Sequence, residues 1–317
     1  MKRFKNILLL YNGEVGTETT LSRAQSLAKN NDARLTLVEV IQRMPGDVMA
    51  LLGPLPRGER DVQDRYIAER QAHLERLAIS MRRDGATVDV RVLRGTPFLE
   101  VIRAVLRDGH DLVVMTADSW QGLRKFTFGS TSMHLMRKCP CPVWVMKPKA
   151  AGPIHRVLAA IDPPVSDQAD NTLDIMILQL ASSLSRTEGC ELEILHAWDL
   201  SGRDLDSSRS EIPDAKMVEL LDQNKALHER AVTRLLAELE MNGVEPHINL
   251  PRGEPWAIIP RFARDKAVDL IVMGTVTRAG ISGFFIGDTA EHVLQQVDCS
   301  VLAVKPEGFR TPVELDR

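Results

Sequence analysis

Apolar residues along this chain fall into two kinds of run: short and continuous, or long and spaced at helical intervals. Residues 7–11 form a continuous apolar run closed by Asn12-Gly13, the pattern of a strand buried on both faces. Leu21, Ala24, Leu27 and Ala28 give residues 20–29 a helical period, and 35–41 reads as the next strand. A loop rich in Pro and Gly, 44–58, leads to a long amphipathic helix over 61–83. Ile67, Leu74, Leu77 and Met81 share one face of that helix, and Asp84-Gly85 ends it. A strand at 87–93, a helix at 97–107 opened by proline, a strand at 112–115, a helix at 131–138 and a strand at 143–146 complete the series.

The same order then begins again. Strands are expected at 157–161, 192–198, 246–250, 270–273 and 301–304, and helices at 171–185, 215–241, 256–265 and 289–296, with a polar loop running through Pro213. The likeness is one of residues as well as of pattern. At a constant offset of 158, Gly95, Pro97, Arg103, Asp111, Leu112, Met115, Gly129, Thr131, His134, Cys141, Val143, Lys147 and Pro148 each recur as the same residue. That period is far too long for a stacked repeat, so it marks a duplicated domain. The expected domains are 1–150 and 153–308, joined at the small-residue stretch Ala150-Ala151-Gly152-Pro153. Strands alternating with helices imply an α/β fold in which each domain is a five-stranded parallel sheet flanked by helices. In such sheets a ligand sits beyond the carboxyl ends of the strands, where the strand order reverses.

Composition adds little to the fold and something to the function. The 44% hydrophobic and 26% charged content is that of an ordinary soluble protein. The basic start at Met1–Lys5 and the apolar run after it resemble a leader peptide. That run is short and lacks a small-residue cleavage site, so it reads as a strand. No apolar run approaches a membrane span, and four cysteines make no disulfide framework, so the expected location is the cytoplasm. The net charge of −3 hides an asymmetry: residues 1–150 carry 24 Lys and Arg against 16 Asp and Glu, while the remainder carries 16 against 27. Opposite signs favour docking of the halves on each other and suggest that the two sites see different ligands; drift on solvated faces is the plainer reading.

Three places in each half converge on a candidate site. They are the end of the first strand (Asn12; Asp162), the end of the fourth (residues 116–119; 274–277) and the start of the last helix (Gly129-Ser130-Thr131; Gly287-Asp288-Thr289). A glycine before a helix start lets free backbone N–H groups face an anion.

Val272-Met273-Gly274-Thr275, the helix start at Gly287 and the closing Cys299–Pro306 resemble the universal stress protein domain. The resemblance extends over both halves, and the Cys139-Pro-Cys-Pro-Val-Trp-Val-Met-Lys147 ending points to its tandem E-type subgroup. It implies two Rossmann-like domains of the adenine nucleotide alpha hydrolase kind. Nucleotide-binding members carry Gly-x-x-Gly, nine residues, then Gly-Ser or Gly-Thr. By that resemblance Asp162 would contact the adenine or ribose of ATP or AMP, Gly274 and Thr277 the ribose and phosphates, and Gly287, Asp288 and Thr289 the phosphates. Neither half keeps the whole pattern. The second has Thr277 for a glycine and Asp288 for a serine; the first has Thr116, Ser119 and Asn12, yet retains Gly129, Ser130 and Thr131.

A helix start offers an anion about 0.3–2 kcal/mol. A carboxylate about 4 Å from a phosphate costs roughly 1–4 kcal/mol. Asp288 is therefore expected to fill the anion site itself, as the N-cap of a capping box with Glu291, and to leave ATP bound weakly or not at all. His134 and His292 read as structural, His196 as a core or rim residue, and Cys139 and Cys141 as free thiols. The run Phe284-Phe285-Ile286, with Trp198 and Trp256, reads as core packing or, alternatively, as an apolar mouth to the second site. Arg124-Lys125 and Arg137-Lys138 are too sparse for a nucleic-acid surface.

With no nucleophile–base pair and no metal cluster evident, the resemblance implies a non-enzymatic protein supporting survival under starvation, oxidative or DNA-damaging stress. Two alternatives stay open: a switch responding to ATP or AMP, and a carrier of a small apolar ligand in the second half. The resemblance also implies that the halves pair through their last strands. A homodimer and protein partners are further possibilities; neither nucleic acid nor membrane is expected.

Overall fold

A computed structural model describes residues 4–13, 16–42, 59–119, 126–147, 153–166, 170–200, 213–241, 243–275 and 287–315. The chain divides into two compact units. Of the described residues, 4–147 and 309–315 belong to the first and 153–308 to the second.

The first unit contains β1 (Asn6–Leu10), α1 (Thr17–Asn31), β2 (Arg34–Ile41), α2 (Glu59–Arg83), β3 (Thr87–Arg94), α3 (Pro97–Asp108), β4 (Leu112–Thr116), the short β5 (Asp118–Ser119) and β6 (Phe126–Thr127), α4 (Ser130–Lys138) and β7 (Val143–Met146). Its sheet is parallel throughout, in the order β3-β2-β1-β4-β7. The second unit repeats the plan with β8 (Arg156–Ala160), α5 (Thr172–Glu188), β9 (Glu191–Leu195), α6 (Asp214–Ala237), β10 (His247–Asn249), α7 (Pro255–Asp265), β11 (Leu270–Gly274), α8 (Asp288–Gln296) and β12 (Ser300–Val304). Its order is β10-β9-β8-β11-β12, again parallel. The expected pair of five-stranded α/β domains is what forms.

Central strands are apolar on both faces because helices cover both. Ile7, Leu8, Leu112, Val113, Val157, Leu158, Leu270 and Ile271 are all fully buried. Each such side chain contributes roughly 1.5–3 kcal/mol of transfer free energy. Strand order reverses between β1 and β4, and between β8 and β11, which sets a crevice at the carboxyl end of each sheet.

Several residues shared by the two halves act at the opposite end or at turns. Asp111 accepts backbone N–H bonds from Lys5 (2.6 Å) and Asn6 (3.1 Å), and Asp269 accepts them from His155 (2.8 Å) and Arg156 (3.1 Å). Each aspartate clamps the first strand of its sheet to the fourth. Gly95 and Gly253 have φ of +145° and +137°, a region open to glycine, and turn the chain into the proline-opened helices α3 and α7.

Two expected boundaries move. The strand expected over 192–198 ends at Leu195, and Trp198 keeps only an isolated bridge to Arg252. Helix α6 stops at Ala237 rather than 241, because Glu238 and Leu239 close the turn onto residues three back and Ser182 takes the Met241 carbonyl. The expected loop over 44–58 lies outside the described residues.

Candidate functional site

The crevice of the second unit is a cavity of about 550 Å³. The end of β8 supplies Ala160, Ile161 and Asp162; α5 supplies Leu173, Asp174 and Ile177; β9 and the residues after it supply Leu195 and Ala197. Pro255 and Ile259 come from α7, Met273, Gly274 and Thr275 from the end of β11, and Gly287, Asp288, Thr289 and Ala290 from the start of α8. Five of the residues expected there, Asp162, Gly274, Gly287, Asp288 and Thr289, thus come together around one cavity. Thr277 lies outside the described residues, as do Phe284, Phe285 and Ile286.

The walls are mostly aliphatic and the polar groups acidic. Asp174 is only 3% exposed, and its Oδ1 accepts the Asp162 N–H at 2.9 Å. The Asp162 side chain is 82% exposed, with Oδ1 3.8 Å from His196 Nδ1. His196 is buried; its Nδ1 donates to the Ile161 carbonyl (3.2 Å), so a neutral ring accepts from His228 Nδ1 at Nε2 (2.7 Å). Burial holds the His228 pKa below the ordinary histidine value, with Asp162 pulling the other way. Behind Thr275 the buried Lys305 ammonium donates to the Thr275 hydroxyl. Gly274 has a packing reason to be glycine, since a Cβ there would lie 2.9 Å from Leu173 Cδ2.

The expected capping box does not form. Gly287 is the N-cap of α8, with φ −62° and ψ 142°, and Asp288 is the first helical residue. Glu291 bonds through its backbone N–H to the Gly287 carbonyl (3.0 Å), and the exposed Asp288 receives His292 Nδ1 on its own carbonyl at 2.7 Å. The turn into the helix is made by the glycine, which shifts the expected cap by one residue. Nor do the tryptophans border the cavity: Trp198 is buried against His228, with ring centroids 6.0 Å apart, and Trp256 pairs with His292 at 5.8 Å. The latter pairing repeats Phe98 on His134 (4.2 Å) in the first unit, so both repeated histidines sit against aromatic rings.

In the first unit the matching crevice is tied up by its own side chains. Asn12 Nδ2 donates to the Thr116 carbonyl (3.1 Å) across the β1–β4 switch point, and Thr17 donates to Asn12 Oδ1 (3.4 Å). Thr116 and Thr20 share a buried hydroxyl bond (2.8 Å). A Cβ on Gly129 would fall 1.6 Å from Asp118 Oδ2, so the Asp118 carboxylate is seated against the N-cap of α4. An internal carboxylate at the anion position is therefore found in the first unit, from Asp118, which the sequence did not single out. Ser130 and Thr131 instead border a separate groove of about 650 Å³ with Arg94, Glu100, Arg103 and His134. Arg94 is held by Asp64 (2.5 Å) and Arg103 by Glu100 (2.8 Å).

The Cys139 and Cys141 thiols are not joined in a disulfide; they are buried and 3.6 Å apart, and their contact and burial push the Cys141 pKa well above the ordinary thiol value. No helix among the described residues is long and apolar enough to cross a membrane.

Two parallel α/β domains, each with a crevice at its switch point, define a Rossmann-like fold, and sequence comparison places it. The model of the universal stress protein family matches residues 3–147 and again 153–305, and the chain belongs to that family. It is 27% identical to universal stress protein E of Escherichia coli strain K12, over all of this chain and 98% of that protein. It is 23% identical to universal stress protein E of Photorhabdus laumondii, over 99% of both. Among solved structures, a functionally unknown protein from Pseudomonas aeruginosa PAO1 superposes with a TM-score of 0.73 at 22% identity, over 96% of this chain and 94% of its own. A universal stress protein from Archaeoglobus fulgidus superposes at 0.61 and 19% identity, over 95% and 98%. These two likenesses bear on the fold.

Proposed function

We propose that this chain serves the stress response as a cytoplasmic binding protein rather than an enzyme. Its small-molecule site lies in the second unit and holds triphosphate weakly or not at all. Asymmetry between the two crevices carries this reading: among the described residues Asn12 bonds across the first switch point and Asp118 is seated against its helix start, whereas the second borders a cavity of about 550 Å³. A phosphate approaching the N-terminus of α8 would meet Asp288, and the repulsion of roughly 1–4 kcal/mol matches or exceeds the helix contribution. Calorimetric titration of ATP into the full chain and into Asp288→Ser tests this. The wild type should bind in the millimolar range or not measurably, and the variant about tenfold or more tighter; micromolar binding by the wild type contradicts the reading.

A carrier role for an apolar ligand is favoured by the aliphatic walls, Ile161, Leu173, Ile177, Leu195, Ile259 and Met273. Native mass spectrometry of freshly purified protein separates it from the nucleotide switch by the mass retained.

A further inference from the structure

We propose that Cys139 and Cys141 form a dithiol clip for a soft, three-coordinate centre, of the class of trivalent arsenicals carrying one organic substituent. The clip lies at the other end of the sheet from the crevice. Cys139 is the C-cap of α4, its N–H donating to the Leu135 carbonyl at 2.9 Å, and Cys141 stands two residues before β7. The Pro142 carbonyl between Cys141 and that strand accepts the Val113 N–H at 3.0 Å, near the start of β4. Cys139 has φ −68° and ψ 132°, the extended backbone favoured before a proline, and the Pro140 ring fixes its own φ. Helix end, proline and strand start thus hold the two sulfurs 3.6 Å apart before any ligand arrives.

Spacing and ligand number decide what fits. Paired sulfurs select soft centres. With bonds of about 2.3 Å to each sulfur, as zinc makes to thiolate, a separation of 3.6 Å subtends an angle of roughly 100° at the bound atom. A linear two-coordinate centre would need its sulfurs about 4.6 Å apart. Tetrahedral zinc could span this pair but wants four ligands, and among the described residues no group of three or more His, Cys, Asp or Glu is placed to hold a metal. A pyramidal arsenic already bonded to carbon needs two sulfurs at such an angle and no further ligand. Charge points the same way. Cys139 is 0% exposed and Cys141 9%, and the surroundings that raise the Cys141 pKa favour uncharged sulfur. A Cu(I) dithiolate would bring a net negative charge there, whereas the arsenic dithiolate is neutral. Capture is a condensation without electron transfer. The more exposed Cys141 thiol adds across the arsenic–oxygen bond, its proton going to oxygen; the Cys139 sulfur then displaces that oxygen, which leaves with the second proton as water. The second unit supplies a contrast: Cys299 repeats Cys141, but Val297 stands in place of Cys139 as the C-cap of α8.

Intact-mass spectrometry of the reduced, folded full chain, brought to equilibrium with phenylarsine oxide, tests the proposal. The wild type should gain one phenylarsenic group and lose two hydrogens. Cys139→Ala and Cys141→Ala should each bind about a hundredfold or more weakly, because a single sulfur gives up the intramolecular second bond. The double variant Cys190→Ala, Cys299→Ala should match the wild type. Circular dichroism reports whether each variant is folded, and peptide mapping of the wild-type adduct needs no variant: both sulfur bonds must fall in the peptide that follows Lys138. Excess zinc should leave the adduct in place, and 2,3-dimercaptopropanol, a competing dithiol, should strip it. No adduct on the folded wild type, an adduct mapped elsewhere, undiminished binding by either single variant, or displacement by zinc overturns the assignment.

Discussion

Replacing Gly129 with alanine tests how the first crevice is closed. Its φ of −77° and ψ of −175° are open to any residue, so the cost of a side chain here is not backbone strain. It comes from Asp118, whose Oδ2 would lie 1.6 Å from the new Cβ and whose Cγ would lie 2.6 Å away. Either the carboxylate is expelled or the helix start shifts. Expulsion forfeits the charge–helix interaction, about 0.3–2 kcal/mol. Crowding adds about 1–3 kcal/mol, and alanine is poorer than glycine at an N-cap by up to about 1 kcal/mol. The sum is roughly 1–6 kcal/mol, and most of it requires Asp118. Urea unfolding of wild type, Gly129→Ala, Asp118→Gly and the double variant, followed by a probe of the first unit, separates the terms. In the Asp118→Gly background the alanine should cost no more than its N-cap penalty of about 1 kcal/mol, leaving a coupling of roughly 1–5 kcal/mol. Additive single variants would refute the contact.

Other outcomes follow from the same geometry. Asn12→Asp puts a second acceptor against the Thr116 carbonyl and should destabilise the first unit by about 1–3 kcal/mol in urea unfolding. Asp111→Ala and Asp269→Ala each remove two charge-assisted backbone bonds; each should cost its own unit about 1.5–4 kcal/mol, and similar losses in the two would confirm that the clamp is duplicated. His110, His134 and His228 have their pKa values lowered, in each case chiefly by burial. The unfolded chain then binds more protons than the folded one at and below about pH 6.5, so stability should be full above that value and fall as pH drops through it, read as a falling Tm between pH 7.5 and 5.5. His110→Leu should flatten that slope. The raised pKa and burial of Cys141 predict slow labelling by a thiol reagent at pH 8 in the native protein and fast labelling in urea.

Sheets and helices were legible because buried parallel strands leave continuous apolar runs, and the duplication repeats them at one offset. The duplication also marked Asp111 and Asp269, which clamp their sheets alike, and His134 and His292, which each pack on an aromatic ring. What stayed hidden depends on turns and on residues that differ between halves. Asp118 meets Gly129 only because the short β5–β6 ladder brings 118 and 127 together, a pairing with no periodic signal. At 287–288 both glycine and aspartate can cap a helix, and composition does not decide between neighbours. Asp174 was the more readable omission, since it is a lone acid on the buried face of the otherwise apolar helix start Thr-Leu-Asp-Ile-Met-Ile. His228 sits among charged residues on α6, and nothing in its surroundings in the sequence points to His196.

The central claim is that, among the described residues, the crevice of the second unit is an open small-molecule site. Counting bound molecules by native mass spectrometry, with 4-phenylbutanol titrated into the full chain, tests it most directly. The account requires a single saturable adduct that disappears in Ala160→Phe, where the new ring fills the cavity at the end of β8. Two equivalent adducts per chain, or one that survives Ala160→Phe, would contradict it.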